Sequence, residues 1–597
     1  MKKRIFIIGF VLLLMGLQGF APLVACANET KARVALRYWL EGEASQRGDA
    51  PELRAAIVRF YKARQFQPAW MGPDGLKQQG HILLKSLKHA SGEMSPELKL
   101  YVKYLEAILL DDAQFTSALN DFPLETLMQA EVGMTQIALN LAVEHNIVQE
   151  NYGWEKASFE EELLADKLSK SLSESIWKEL ISAAQPGHRV YWSLKKALER
   201  YETIQLLGGW PQIPKGPKII RGKRDSRVPV LRERLLISGD MGLEYLSADE
   251  TYDEFVADAV QRFQGRHGLK ADGVVGLKTL AELNTSVQTR IDQIRLNMVR
   301  WHSMPDRLGD RYLLLNIPSY HLKVVENHRE VYSMRAIVGK KERQTPVMSA
   351  KMTYLEINPY WNIPQKIARK DLLPKIHNDP QYLIRQKIQV FESWKKDAPV
   401  LDPLSIDWKL YSHAFFPFRL RQEPASTNAL GRVKFMFPNQ YSVYIHDTPA
   451  KSLFKKVDRS FSSGCVRVEQ PFVLAEYLLT GQHWNEKRIR ATLKERKRQV
   501  VALKEPISVH LIYMTAWADE SGSVHFYKDL YGRDRQLLAE LNRAKVYLSD
   551  FEIDQMSLGS ILGKAHKSVT RSSDQRADDM FPFGTSDRSH AAKSKGV

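Results

Sequence analysis

Residues 441–446, Tyr-Ser-Val-Tyr-Ile-His, alternate in character, and a β-strand turns such alternation into two opposed faces. Val443 and Ile445 point towards a core, Tyr444 and His446 away from it. Nineteen positions after His446 (465 minus 446) comes Ser462-Ser463-Gly464-Cys465-Val466-Arg467. If this piece is extended, Cys465 and Arg467 also share a face. The stretch calls for a sheet with one dry side and one chemically furnished side.

The furnishing suggests nucleophilic catalysis. A free thiol has a pKa near 8.5, so attack at neutral pH needs an adjacent imidazole or positive charge. His446 is the base within reach in sequence, and Arg467 adds positive potential. Gly464 has no side chain to obstruct an acyl group, so the Gly464 and Cys465 amides are candidates for an oxyanion hole. The histidine needs an orienting acceptor, for which a carbonyl in the turn Asp447-Thr448-Pro449 is available. The bland alternative is an inert thiol beside an ordinary strand histidine.

Compartment bears on that choice. Lys2-Lys3-Arg4 precede an apolar run from Ile5 to Phe20, then Pro22 and small residues, the pattern of a secretory signal peptide. A membrane anchor is the competing reading, weakened by the short apolar core, since a spanning helix wants about 20 apolar residues. Ala25-Cys26-Ala27 offers cleavage before Asn28, whereas Leu23-Val24-Ala25-Cys26 offers lipidation of Cys26. Either way Cys465 is the sole free thiol of the mature chain. Where exported proteins pair their cysteines, an unpaired one suggests chemistry. The formal charge of +17 (86 Lys+Arg minus 69 Asp+Glu) matches an anionic wall polymer or membrane surface, and export argues against nucleic acid. No His/Glu cluster at ligand spacing points to a metal.

At 597 residues the chain exceeds one core, and roughly two to four domains are expected. Residues 28–225 read as a helical scaffold, with Leu53, Ile57, Phe60 and Tyr61, then Leu194, Ala197, Leu198 and Tyr201, at helical spacing. Within it, 210–225 carry three prolines and five Lys/Arg and read as a linker or surface crossing. Residues 226–285 form a compact helical unit, 286–310 a connector, and 311–545 a strand-rich domain interrupted by helix and loop at about 365–410. Residues 546–597 are polar and weakly periodic, as in a disordered tail.

His446 followed by Ser462, Gly464, Cys465 and Arg467 resembles the active-site motif of the L,D-transpeptidases with a YkuD-type catalytic domain. Phe263, Gln264, Gly268, Leu269, Asp272, Gly273, Gly276 and Thr279 resemble the small peptidoglycan-binding module. The likeness runs by order of parts from about 35 to 545 and is sharpest over 311–531. It implies a multidomain α+β fold: a mainly β YkuD-type catalytic domain with a helical lid insertion, a helical scaffold and a small helical peptidoglycan-binding-like module. In that family the cysteine attacks a stem peptide, the histidine is the base and the carbonyl of the next residue, here Asp447, orients it. Many members have glycine there, and many smaller members have a second histidine where Ser463 stands. The resemblance makes Trp361 and Asn362, at the base of the insertion, candidates for the substrate groove beside Ser463, Tyr444 and Arg467. Trp361 reads equally well as core.

The activity so implied is 3→3 cross-linking of peptidoglycan stems through a Cys465 thioester, with release of D-alanine and no metal or organic cofactor. The expected partners are donor and acceptor stem peptides, and the expected state is a periplasmic monomer. Passage of the thioester to water or to a lipoprotein amine shares the first half-reaction. A non-catalytic wall-binding adaptor is the rival of a different class. Sortases, which also run His, Cys, Arg, place their cysteine at a T-L-x-T-C strand end, absent here.

Overall fold

The computed structural model describes residues 31–41, 51–90, 127–138 and 188–539, apart from 39, 73–74, 129, 303, 306 and 520. The expected leader 1–27 with Cys26, the expected tail 546–597 and much of the expected scaffold lie outside the described residues. The chain divides into two compact units. One comprises Met1–Val143, Phe159–Gln185 and Asn542–Val597; the other comprises Glu144–Ser158 and Pro186–Leu541.

In the first unit α1 (Pro51–Ala63) and α2 (Gln78–Ala90) flank a two-strand turn at Met71–Gly72 and Gly75–Leu76. Ile57, Phe60 and Tyr61 are buried at the spacing read from the sequence. Buried Glu131 accepts the Trp70 and Met71 amides at 3.2 and 3.0 Å and the Tyr61 hydroxyl at 2.9 Å. Burial pushes its carboxyl upward, and those donors keep the desolvated group satisfied.

The second unit begins earlier than the sequence boundary at 225 suggested. Helix α3 (Arg189–Leu206) buries Tyr191, Leu194, Ala197, Leu198 and Tyr201. These residues pack into one cluster with Val287, Ile294, Met298, Trp301, Met514 and Phe526. An amphipathic face announces a partner without naming it, and here the partner lies about a hundred residues downstream. The stretch 210–225 is likewise no free linker. Ile213 and Ile219 are core residues of the small module, Ile219 bridges Val275, and the Arg227 guanidinium donates to the Pro217 carbonyl at 2.7 Å.

That module consists of α4 (Val228–Ile237), α5 (Glu254–Arg266) and α6 (Leu277–Leu283). Asp253 caps α5 by accepting the Val256 amide at 2.9 Å. Buried Gln264 ties the following turns together: its amide nitrogen donates to the Val274 carbonyl at 3.0 Å, and its oxygen accepts the Gly273 amide at 2.9 Å. The expected connector 286–310 is mostly helix α7 (Val287–His302), packed in the α3 cluster.

Nine strands form the main sheet among the described residues. They are β1 (Arg311–Asn316), β2 (His321–Glu326), β3 (Arg329–Gly339), β4 (Met348–Ile357), β9 (Val433–Met436), β10 (Ile445–His446), β11 (Ser460–Ser462), β12 (Val466–Val468) and β13 (Gln499–Ile512). Their order is β11-β3-β12-β10-β9-β4-β13-β1-β2, and β2 also pairs with β3. Eight strands therefore close on themselves, and Leu313, Leu355, Phe435, Ile445, Val466 and Val509 fill the core. Helices α8 (Pro471–Leu478) and α9 (Glu486–Lys494) seal it with Leu474, Leu478 and Ile489.

The insertion is wider than 365–410 and not simply helical. Strands β5 (Trp361–Asn362), β6 (Ile388–Phe391), β7 (Val400–Leu401) and β8 (Arg419–Gln422) make a second sheet in the order β5-β8-β6-β7. Short helical turns from Gln365 to Arg385 pack on it. Leu373, Ile376, Leu383, Val390, Trp408 and Leu420 give this subdomain its own core. A closing hairpin of β14 (Ala516–Ala518) and β15 (Val524–Phe526) joins the α3–α7 cluster.

Candidate active site

Strands β10 and β12 are adjacent and parallel, with Ile445 opposite Val466 and His446 opposite Arg467. The Val466 amide donates to the Tyr444 carbonyl at 3.0 Å, which sets Cys465 beside Tyr444. Since Ile445 and Val466 are fully buried in the core, Tyr444, His446, Cys465 and Arg467 all leave the opposite face. Two stretches nineteen residues apart thus place a thiol, a phenol, an imidazole and a guanidinium together.

The imidazole is oriented. Its Nδ1 lies 2.5 Å from the Asp447 carbonyl. With Nδ1–H donating there, Nε2 keeps its lone pair. Burial, reinforced by the Arg467 charge, drives the His446 pKa down to about 3. The Asp447 carboxylate is engaged on other partners, accepting the Arg432 amide at 2.8 Å and the Lys451 ammonium at 2.6 Å.

Cys465 is free and half-buried. Burial pushes its thiol up, against opposing hydrogen bonds from the Tyr444 main chain and hydroxyl and the charges of Lys434 and Arg467. The resting pair is therefore neutral thiol and neutral imidazole, not an ion pair. Burial raises the Tyr444 phenol well above its ordinary value, and Trp361 also hydrogen-bonds it.

The other expected residues are distributed as follows. Trp361 is half-buried in contact with Tyr444. Asn362 is exposed, in register with Arg421, and its side chain forms no hydrogen bond among the described residues. Ser463 accepts from the Arg343 guanidinium at 2.9 Å. Gly464 adopts φ +116°, but its amide donates to Ser462 Oγ at 3.1 Å. At rest that amide is therefore shared with an acceptor within its own turn. Arg467 is half-buried, and its Nε has no hydrogen-bond partner among the described residues; burial lowers its pKa.

Lys434 was not foreseen. It stands opposite His446 on β9, with Nζ 4.3 Å from the Tyr444 ring centroid, a cation–π contact. The signal was present, since Val433 and Phe435 are apolar and buried, which turns Lys434 to the site face.

The same residues are matched by family models. The model for the YkuD "L,D-transpeptidase catalytic domain" covers residues 310–489. Residues 310–489 thus match a YkuD-type L,D-transpeptidase catalytic domain. Ahead of that match, a "Scaffold domain" matches residues 55–198 and a "Putative peptidoglycan binding domain" matches 224–283. A Haemophilus influenzae protein named "Putative L,D-transpeptidase" is 36% identical over 300 residues, covering 50% of this chain and 59% of the relative. The alignment thus spans under two thirds of that relative. Among solved structures, an L,D-transpeptidase from Xylanimonas cellulosilytica is 16% identical and covers 50% of this chain and 99% of its own, at TM-score 0.16. One from Stackebrandtia nassauensis is 14% identical and covers 51% and 96%, at TM-score 0.19.

Proposed function

We propose that the protein forms 3→3 cross-links between peptidoglycan stems through a thioester on Cys465. The observation that carries the reading is the common sheet face of Tyr444, His446, Cys465 and Arg467, with His446 Nδ1 held by the Asp447 carbonyl. From the neutral resting pair, His446 Nε2 takes the thiol proton as Sγ attacks the carbonyl of the third stem residue, a diamino acid. The charges of Lys434 and Arg467 favour the thiolate as it forms. Tyr444, which hydrogen-bonds the sulfur at rest, turns its O–H to the carbonyl oxygen once the sulfur's charge passes there. The Cys465 amide is the second donor. Losing one such donor costs about 3 kcal/mol of transition-state stabilisation in comparable sites.

His446 then returns its proton to the amine of the departing D-alanine, leaving the acyl group on sulfur. A side-chain amine of a neighbouring stem, deprotonated by the same imidazole, attacks the thioester and regenerates the thiol. Each bond broken is matched by one formed, and no external oxidant or reductant is consumed. The excess of Lys and Arg over Asp and Glu suits an enzyme working against an anionic wall.

Incubation with purified tetrapeptide muropeptides tests the reading. Cross-linked dimers identified by mass, absent with Cys465→Ala, are the expected outcome. Tripeptides alone would replace cross-linking by trimming, and full turnover by Cys465→Ala would remove the cysteine from the mechanism.

A further inference from the structure

Loop 340–345 grips the nucleophile loop residue by residue. The Lys340 amide donates to the Ser462 carbonyl at 3.1 Å, Arg343 Nη1 to Ser463 Oγ at 2.9 Å, and the Thr345 hydroxyl to the Gly464 carbonyl at 2.8 Å. Tyr531 braces the loop from behind, donating to the Gly339 carbonyl at 2.7 Å and accepting the Thr345 amide at 3.1 Å.

One member of this grip extends into the inserted subdomain. The guanidinium that donates to Ser463 also takes both carboxylate oxygens of Asp371, with Nη2 2.9 Å from Oδ1. Asp371 lies in the π-helical turn Ala368–Leu372 of the insertion, between Ala368 and Leu372, both buried in the subdomain's own core. The Arg343 side chain is 13% exposed and that of Asp371 35%, so the pair is better shielded than a surface ion pair. The rigid fork of arginine can satisfy a carboxylate and a hydroxyl together, whereas a lysine ammonium is a single point of charge.

We propose that Arg343 is a positioning residue fastening the inserted subdomain to the nucleophile loop, so that the placement of the cap and the setting of Cys465 change together. What is positioned rests on the transpeptidation reading; the fastening itself can be measured without turnover.

The test is hydrogen exchange by mass spectrometry on the full chain, comparing wild type with Asp371→Ala and the isosteric Asp371→Asn. Amides of 460–466, distant in sequence from the substitution, should exchange roughly tenfold faster together with those of 366–378, as expected for loss of a charge-assisted anchor. Strand 507–512 should be unaffected. Unchanged exchange at 460–466, or equal acceleration at 507–512, overturns the proposal. With muropeptide substrate, Asp371→Ala should raise KM about tenfold. Arg343→Lys should not restore the wild-type KM. A wild-type chain silent on muropeptides yet coupled in exchange would count against the proposed function alone.

Discussion

Gly464 sits at φ +116°, where an added Cβ would make only ordinary contact, 3.5 Å from the Gln344 carbonyl. The demand for glycine is therefore one of backbone conformation, not crowding. Gly464→Ala should cost about 1–3 kcal/mol as local strain, read as a lower Tm. Because Cys465 is next in the chain, its acylation should slow as well. At Gly431, with φ +64°, crowding is added to conformation, since a Cβ there would run into the Asp447 carboxylate. His446 yields a pH prediction. It titrates near 6.5 in the unfolded chain and at about 3 when folded. The unfolded state thus binds a proton the folded state refuses, so this contribution is full above pH 6.5 and is lost as pH falls towards 3. In thermal melts, His446→Gln should lose Tm less steeply than wild type across that window. Alternation alone made Tyr444, His446, Cys465 and Arg467 legible as one face. Arg343, Asp371 and the Ser462 acceptor on the Gly464 amide were not legible, because each depends on side chains met across loops far apart in sequence or folded back within one turn.

Strand β10 is only two residues long, although the sequence alternates over six. Ser442 at φ +54° ends the extended run early, and the pairing of Val466 with Tyr444 carries the register outward from β10. Such a short strand relies on its core anchor. Ile445→Ala should destabilise the second unit by about 2–5 kcal/mol, measured by denaturant unfolding, and a loss below about 1 kcal/mol would contradict its placement in the core. In the insertion, Ile388–Phe391 and Arg419–Gln422 pair residue for residue. Four residues of alternation bounded by helical turns leave no firm period to read, which is why the stretch suggested helix and loop. The small module was legible in detail, because Gly273 and Thr279 both bond to Gln264, over at most 15 positions.

Over the whole molecule, the sequence drew a border at 225 where packing draws one near 186. Helix α3 looks like the end of a helical run, and only the tertiary cluster with α7 and the closing hairpin reveals its allegiance. Expressed alone, residues 186–541 should unfold cooperatively. A piece beginning at 226 strips Leu194, Leu198, Tyr201 and Trp210 from that cluster and should melt at a lower temperature or aggregate, as light scattering during a thermal ramp would record.

The sulfur and the imidazole hang from neighbouring strands running in the same direction inside a ring of eight that has no free end. Their spacing is consequently a property of the main chain, held by the hydrogen bonds that hold the ring shut. Such a pair cannot drift apart gradually: it stays in step until the staves of the barrel separate, and then the chemistry and the architecture fail as one event.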